Sequence, residues 1–154
     1  MRIVNGRQGV IDLAGAHLGP SIWMQVNQEM IDGFAALTGD HQWIHVDPVR
    51  AARERPGGKT IAHGFLTLSL LPALQETLLR FENIDRVVNY GLDRLRYPQP
   101  VEEGARLRLV QQVSIVEAVK AQGFRIVFDS KLEIEGQPRP ALTASLVAIV
   151  FPDP

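Results

Sequence analysis

The 154-residue chain predicts an α+β fold, in which an antiparallel sheet of about five strands wraps around one long helix. Three observations support this prediction. Residues 28–38 carry apolar side chains at helical spacing. Residues 64–80 are apolar on nearly every side of a helix, as expected of a buried helix. After residue 87, segments with strand character follow one another through short connections, which is typical of an antiparallel sheet.

The front half begins with a predicted short strand over Ser21–Val26, followed by a helix over Gln28–Thr38. Asn27 is the expected N-cap, because its side-chain oxygen can accept a hydrogen bond from a free N–H of the first turn. Glu29 lies in that turn, where the helix dipole favours a negative charge. Gly39 is expected to end the helix in the left-handed conformation that glycine adopts readily.

A loop over residues 40–60 contains the turn signal Asp47-Pro48, and a short surface helix is predicted over Ala51–Arg55. The buried helix is predicted over Gly64–Arg80, with a kink at Pro72 because proline lacks a backbone N–H. The back half predicts four strands, the first of them ended by two prolines. They cover Val87–Tyr97, Ala105–Val119, Gly123–Glu135 and Pro140–Phe151.

Composition excludes several classes of function. Sixteen basic and seventeen acidic residues give a net charge of -1, so no basic surface for nucleic acid or an anionic membrane is expected. The absence of cysteine excludes disulfides, thiolate catalysis and cysteine-ligated zinc. The most apolar run, Ile61–Leu74, is interrupted by His63 and is shorter than the ~20 residues of a membrane span. We therefore expect one cytoplasmic domain over residues 1–154.

Titratable side chains are concentrated between residues 40 and 63: Asp40, His41, His45, Asp47 and His63. In a structural interpretation the acids shape turns and His45 is half-buried. A metal site is disfavoured, because histidines four residues apart converge on a helix and Gly39 places them in a loop. Nucleophilic catalysis would need Ser69 or Thr67 beside His63, and no Gly-x-Ser-x-Gly elbow is present.

The remaining interpretation is acid–base chemistry by Asp40 and His45, which could hold one water molecule between them. Gln42 can orient that water, because its amide both donates and accepts. Free N–H groups at the start of the helix near Gly64 could receive a carbonyl oxygen that gains negative charge. His63 either lines the same pocket or caps the turn, and the structural role is favoured.

Residues Phe34–Pro48 and Thr60–Phe65 resemble the MaoC-like dehydratases, which are (R)-specific enoyl-CoA hydratases of the hot-dog fold. The resemblance is carried by a Gly-Asp-x-x-x-x-His element followed by Ala-His-Gly. Gln42-Trp43 stands where the family usually has Asn-Pro, and in this respect the chain resembles the NodN-like branch with a single hot-dog domain. This difference concerns the shape of the substrate more than the chemistry.

The resemblance implies that Asp40 and His45 are the catalytic pair and that the Gly64 N–H holds the thioester carbonyl. The implied reaction is the reversible syn addition of water to a trans-2-enoyl-CoA, giving an (R)-3-hydroxyacyl-CoA. Coenzyme A is then part of the substrate, and no metal or redox cofactor is expected. Members of the family form dimers with paired sheets, so a homodimer is expected, with the acyl-CoA site near its interface.

Two alternatives to a hydratase remain open. Hot-dog thioesterases often carry an acid on the central helix, but that helix offers only Glu76, toward its far end. A non-catalytic module that binds acyl thioesters would not need both Asp40 and His45. Release of free thiol would identify the first alternative, and binding without turnover the second.

Overall fold

The computed structural model describes residues 1–153, within which it forms six helices and eight strands. The helices are α1 (Gly6–Ile11), α2 (Gln28–Thr38), α3 (Trp43–Val46), α4 (Pro48–Glu54), α5 (Gly64–Ser69) and α6 (Leu71–Gln75). The strands are β1 (Arg2–Asn5), β2 (His17–Leu18), β3 (Met24–Gln25), β4 (Leu79–Glu82), β5 (Ile84–Arg96), β6 (Arg106–Ala118), β7 (Phe124–Ile134) and β8 (Leu142–Pro152). No helix in this part of the chain has the length and apolarity needed to cross a bilayer.

The main sheet has six strands in the order β2–β6–β7–β8–β5, and β3 also pairs with β6. All of these pairings are antiparallel, which confirms the predicted α+β class. The sheet has one strand more than expected because His17–Leu18 pairs with Gln111–Gln112. Two residues are too few to show the alternation by which a strand is recognised in a sequence.

The hydrophobic core lies between this sheet and the helices α5 and α6. Leu66, Leu71 and Leu74 of the two helices are buried against the sheet, in one cluster with Leu109 of β6 and Phe128 of β7. Phe128 lies opposite Val113 on one side and Leu146 on the other. The predicted packing of an apolar helical segment on the sheet is therefore confirmed.

Helix α2 has the predicted bounds and both predicted ends. The Asn27 side chain accepts a hydrogen bond of 3.0 Å from the Met30 N–H. Gly39 has a φ of 79°, in the left-handed region, and its N–H donates to the Ala35 carbonyl. These local signals place the residue that follows, Asp40, at a defined point beside the end of the helix.

The predicted helix over Gly64–Arg80 is wrong in its extent. The helix is interrupted at Leu70, before Pro72 in the first turn of α6, and α6 ends at Gln75. Leu79–Glu82 forms a strand paired in parallel with Arg2–Asn5. Leu79 is apolar and buried in either conformation, so its hydrophobicity did not distinguish the end of a helix from the start of a strand.

The surface helix also begins earlier than predicted, at Pro48 rather than Ala51. The Asp47 carboxylate accepts a hydrogen bond of 2.9 Å from the Arg50 N–H, and Pro48 occupies the first turn, where its missing N–H costs nothing. The structural interpretation of Asp47 as a turn residue is therefore confirmed. Its capping contact fixes the junction between α3 and α4.

Candidate active site

His45 lies in the single helical turn α3 and is almost completely buried, with 6% of its surface exposed. Its Nδ1 lies 2.6 Å from the main-chain oxygen of Ile61. A carbonyl only accepts, so Nδ1 carries the proton and Nε2 is left with a free lone pair. The Ile61 N–H in turn donates to Ile44, at 3.0 Å, which ties the two segments together.

His63 lies directly against His45. The two ring centroids are 3.8 Å apart and the ring planes differ by 27°, so the rings are stacked. The Nε2–H of His63 donates to the main-chain oxygen of Asp40 at 2.9 Å. Its Nδ1 is buried and has no hydrogen-bond partner among residues 1–153. Phe34 contacts the same ring, with centroids 5.1 Å apart.

The structure therefore brings three titratable groups together. One carboxylate oxygen of Asp40 and one ring nitrogen each of His45 and His63 lie within 4.8 Å of one another. Asp40 is exposed, whereas both histidines are buried. His63 occupies the N-cap position of α5, but its side chain makes no capping hydrogen bond. The side chain contacts the Asp40 carbonyl instead of capping the turn.

Such a group could also hold a metal ion, with two ring nitrogens and one carboxylate oxygen as ligands. The buried rings of His45 and His63 are stacked, with centroids 3.8 Å apart and planes that differ by 27°. The same arrangement suits proton transfer, because an exposed carboxylate and a free imidazole nitrogen can share a single water molecule.

The surroundings of His45 favour its neutral form. Burial lowers the pKa of His45 below its ordinary value, and the hydrogen bond to the Ile61 carbonyl opposes this effect. Charge on His63 lowers the pKa further, the Asp40 carboxylate raises it, and Arg55 lowers it. Because the net shift of the pKa is downward, the His45 ring is uncharged near neutral pH, and its unprotonated Nε2 is available to accept a proton.

A cavity of about 290 Å³ adjoins His45 and Gly64. Its remaining lining is mostly apolar and consists of Ile61, Ala62, Thr67, Tyr97, Gln99, Pro100, Val101 and Ala141. Gly64 is the first residue of α5, where backbone N–H groups have no partner within the helix. Of the predicted site residues, His45 and Gly64 line this cavity, whereas Asp40 and Gln42 do not.

Of the predicted site residues, Gln42 is the one whose side chain is held least by its surroundings. It is exposed at the start of α3, and its side chain makes no capping hydrogen bond there. Its main-chain N–H lies 3.4 Å from Oδ1 of Asp40, a long hydrogen bond. Its predicted role in orienting water stays a prediction.

Tyr97 was not identified from the sequence, although its ring covers Gly64. Two ring carbons lie 3.1 Å from the position that a Cβ at residue 64 would occupy. A side chain at residue 64 would therefore require the Tyr97 ring, which is 40% exposed, to move by a few tenths of an ångström. The one sequence signal was an aromatic residue ahead of Pro98, at the end of a predicted strand, and nothing in it pointed to Gly64.

The hydroxyl groups considered as nucleophiles are engaged within their own helix. Ser69 donates to the Phe65 carbonyl at 2.7 Å, and Thr67 donates to the His63 carbonyl at 3.2 Å. Ser69 is exposed. Neither hydroxyl contacts the free nitrogen of His45, which disfavours nucleophilic catalysis.

Known proteins resemble this chain both in sequence and in structure. The family model described as "MaoC like domain" matches residues 12–132. The 3-hydroxyacyl-thioester dehydratase Z of Mycobacterium tuberculosis is 42% identical over 143 residues, covering 91% of this chain and 94% of that protein. Nodulation protein N of Rhizobium leguminosarum bv. viciae is 45% identical over 141 residues, covering 91% and 88%.

A solved structure shows the same fold at lower sequence identity. The unliganded R-hydratase PhaJ1 of Pseudomonas aeruginosa superposes with a TM-score of 0.67 and 23% identity. The match covers 92% of this chain and 83% of that one.

Proposed function

Because this chain belongs to the MaoC-like dehydratase family and has its hot-dog fold, we propose that it catalyses the reversible hydration of a trans-2-enoyl-CoA to an (R)-3-hydroxyacyl-CoA. Its class, a hydro-lyase, follows from the family. The observation that carries the finer proposal is that buried His45 has a free Nε2, lines an apolar cavity and has a ring nitrogen within 4.8 Å of an Asp40 carboxylate oxygen. The relative named for a 3-hydroxyacyl thioester supports this substrate class.

In the proposed mechanism the thioester carbonyl accepts a hydrogen bond from the Gly64 N–H, which makes C3 of the enoyl group electrophilic. Asp40 and His45 hold a water molecule and remove one of its protons as its oxygen bonds to C3. The pair then delivers a proton to C2 on the same face, so water is added syn. No electrons pass between molecules, and we propose that neither a redox cofactor nor a metal takes part.

General principles give the expected size of each contribution. A positioned acid–base pair contributes about 10²–10⁴-fold to the rate. A single oxyanion donor such as the Gly64 N–H contributes about 10²–10³-fold. Loss of either group is therefore measurable against the activity of the intact protein.

The thioesterase alternative receives no support from the position of Glu76. This residue lies exposed at the C-terminal end of α6, and it is not among the residues that line the cavity beside His45. A water molecule activated there would not reach a thioester bound at Gly64 in that cavity.

The first test is turnover of crotonyl-CoA and longer enoyl-CoA substrates, followed as loss of the conjugated enoyl absorbance. Asp40→Asn should lower kcat by about 10²-fold or more while the circular dichroism spectrum is retained. His41→Gln is the matched control, since His41 is an exposed neighbour in the same loop, and its activity should stay near that of the wild type.

Absence of turnover by the wild type at every chain length would contradict a hydratase. Thiol release measured in the same reactions would then indicate a thioesterase, and saturable binding without either reaction would indicate a binding module.

A homodimer formed at the edge strand β5 is also part of the proposal. This thirteen-residue strand pairs only with β8 among the described residues, so its other edge has free N–H and C=O groups. Long unpaired edges readily join a second strand. Val88, Tyr90 and Leu92 on β5 are 41%, 71% and 38% exposed, which makes the edge apolar as well. A second copy would cover both features.

A further inference from the structure

We propose that His63 is a positioning residue, which holds Asp40 and His45 in a fixed relation by hydrogen bonding to the first and stacking on the second. This inference rests on the proposed hydratase function and assigns a residue that the mechanism above does not use. It follows from two contacts of a single buried side chain, 2% of whose surface is exposed, and from the covalent link of this residue to Gly64.

The first contact fixes the peptide group of Asp40. Two other hydrogen bonds of this residue are long: its N–H lies 3.4 Å from Oγ1 of Thr38, and its carboxylate lies 3.4 Å from the Gln42 N–H. The bond from His63 to its carbonyl is 2.9 Å and is the shortest of the three. An exposed carboxylate at the end of α2 thus depends on His63 for its best backbone anchor.

The second contact restricts the ring of His45. The hydrogen bond from Nδ1 to the Ile61 carbonyl holds one edge of the ring, which can still rotate by a small angle about its Cβ–Cγ bond. The face of His63 at 3.8 Å blocks this rotation on one side. Phe34 packs against His63, so the blocking ring is itself held. The direction of the free Nε2 is therefore set by two contacts together.

The third relation is covalent, because His63 is followed directly by Gly64. Movement of the His63 backbone would move the N–H proposed to hold the thioester oxygen. One buried imidazole thus connects the three groups of the mechanism, although it touches no reacting atom in it. Misplacement of catalytic groups by about 1 Å is enough to lower a rate 10²-fold.

Packing alone does not account for an imidazole at this position. The buried Nδ1 has no partner among residues 1–153, and an unsatisfied buried polar atom costs about 1–3 kcal/mol. A phenyl ring would fill similar space without that cost. The feature that phenylalanine lacks is the Nε2–H, which is the group that contacts Asp40.

The test separates the two contacts with two variants. His63→Phe keeps an aromatic face for His45 and removes the donor to Asp40, whereas His63→Gln keeps an N–H donor and removes the ring. We expect each to lower kcat about 10–100-fold with KM changed less than about threefold, because positioning acts on the transition state. His41→Gln is the control that should retain activity.

Loss of folded protein alone would leave the pH profile unmoved, so kcat/KM is also measured against pH. The charged or titratable groups that act on His45 are Asp40, Arg55 and His63. Charge on His63 lowers the pKa of His45, so His63→Phe should move the acid limb of the profile to higher pH. A loss of activity that only follows the folded fraction, with an unmoved acid limb, would overturn the proposal.

Nuclear magnetic resonance of the His45 ring protons gives a result that does not depend on turnover. In His63→Phe, or in His63→Gln if the first variant does not fold, these resonances and their titration midpoint should shift from those of the wild type. An unchanged His45 titration would refute the positioning role. If the wild type shows no turnover but the His45 titration does shift, the hydratase assignment fails while the positioning contacts stand.

Discussion

The contact between Gly64 and Tyr97 allows a specific prediction, because the resistance of the Tyr97 ring to displacement decides the sign of a stability change. Replacing a helical glycine by alanine ordinarily stabilises a protein by roughly 0.5–1 kcal/mol. In Gly64→Ala, however, the new methyl group would lie 3.1, 3.1 and 3.3 Å from three carbons of the Tyr97 ring. Carbon atoms pack comfortably at about 3.5–4.0 Å, and overpacking costs about 1–3 kcal/mol. We therefore expect net destabilisation of about 1–2 kcal/mol.

Chemical denaturation measures this effect in a double-mutant cycle with Tyr97→Ala. Once the ring is removed, Gly64→Ala should become neutral or stabilising, so the coupling between the two positions should be about 1–3 kcal/mol. Gly33→Ala is the matched control: Gly33 is also helical, a Cβ there would meet nothing within 4 Å, and its effect should be the same in both backgrounds.

The same variants test the proposed role of the Gly64 N–H. Displacement of this donor in Gly64→Ala should lower kcat by about 10²–10³-fold. In the Tyr97→Ala background, the same substitution should lower kcat by less. Equal effects of Gly64→Ala on stability in both backgrounds would refute the argument from space. An equal loss of activity would show that the methyl group obstructs the substrate itself.

Two further predictions concern assembly and pH. Light scattering should give twice the chain mass for the wild type, and a monomeric wild type would contradict the proposed edge. The double variant Val88→Lys/Leu92→Lys should be monomeric. The control Ile115→Lys, at a similarly exposed position on β6, should remain dimeric. For pH, the pKa of His45 is lower in the folded chain than the unfolded value of about 6.5, so below that pH the unfolded state binds more protons. Stability should therefore fall as the pH drops from about 6.5 toward the folded pKa. His45→Gln should lessen this dependence, and identical slopes for both proteins would exclude His45 as its source.

The sequence predicted well wherever the determining contacts are local. Asn27 and Gly39 bracket α2 because a cap acts within one turn of the helix that it ends. The four long strands were recognised from the strand character of their segments, and their observed bounds lie within a few residues of those predicted, as in β6 over Arg106–Ala118. By contrast, β1 and β4 were missed because each exists only through its parallel pairing with the other, far along the chain.

The candidate site divides in the same way. Asp40 and His45 stand five residues apart, and their chemistry and family resemblance are visible in the sequence by itself. Only the tertiary structure decided that His63 stacks on His45 and binds the Asp40 carbonyl, and that the Tyr97 ring packs closely over Gly64. Side-chain type and spacing record which groups are present, whereas their distances and their pKa values depend on chain segments that meet only when the sheet and helices pack.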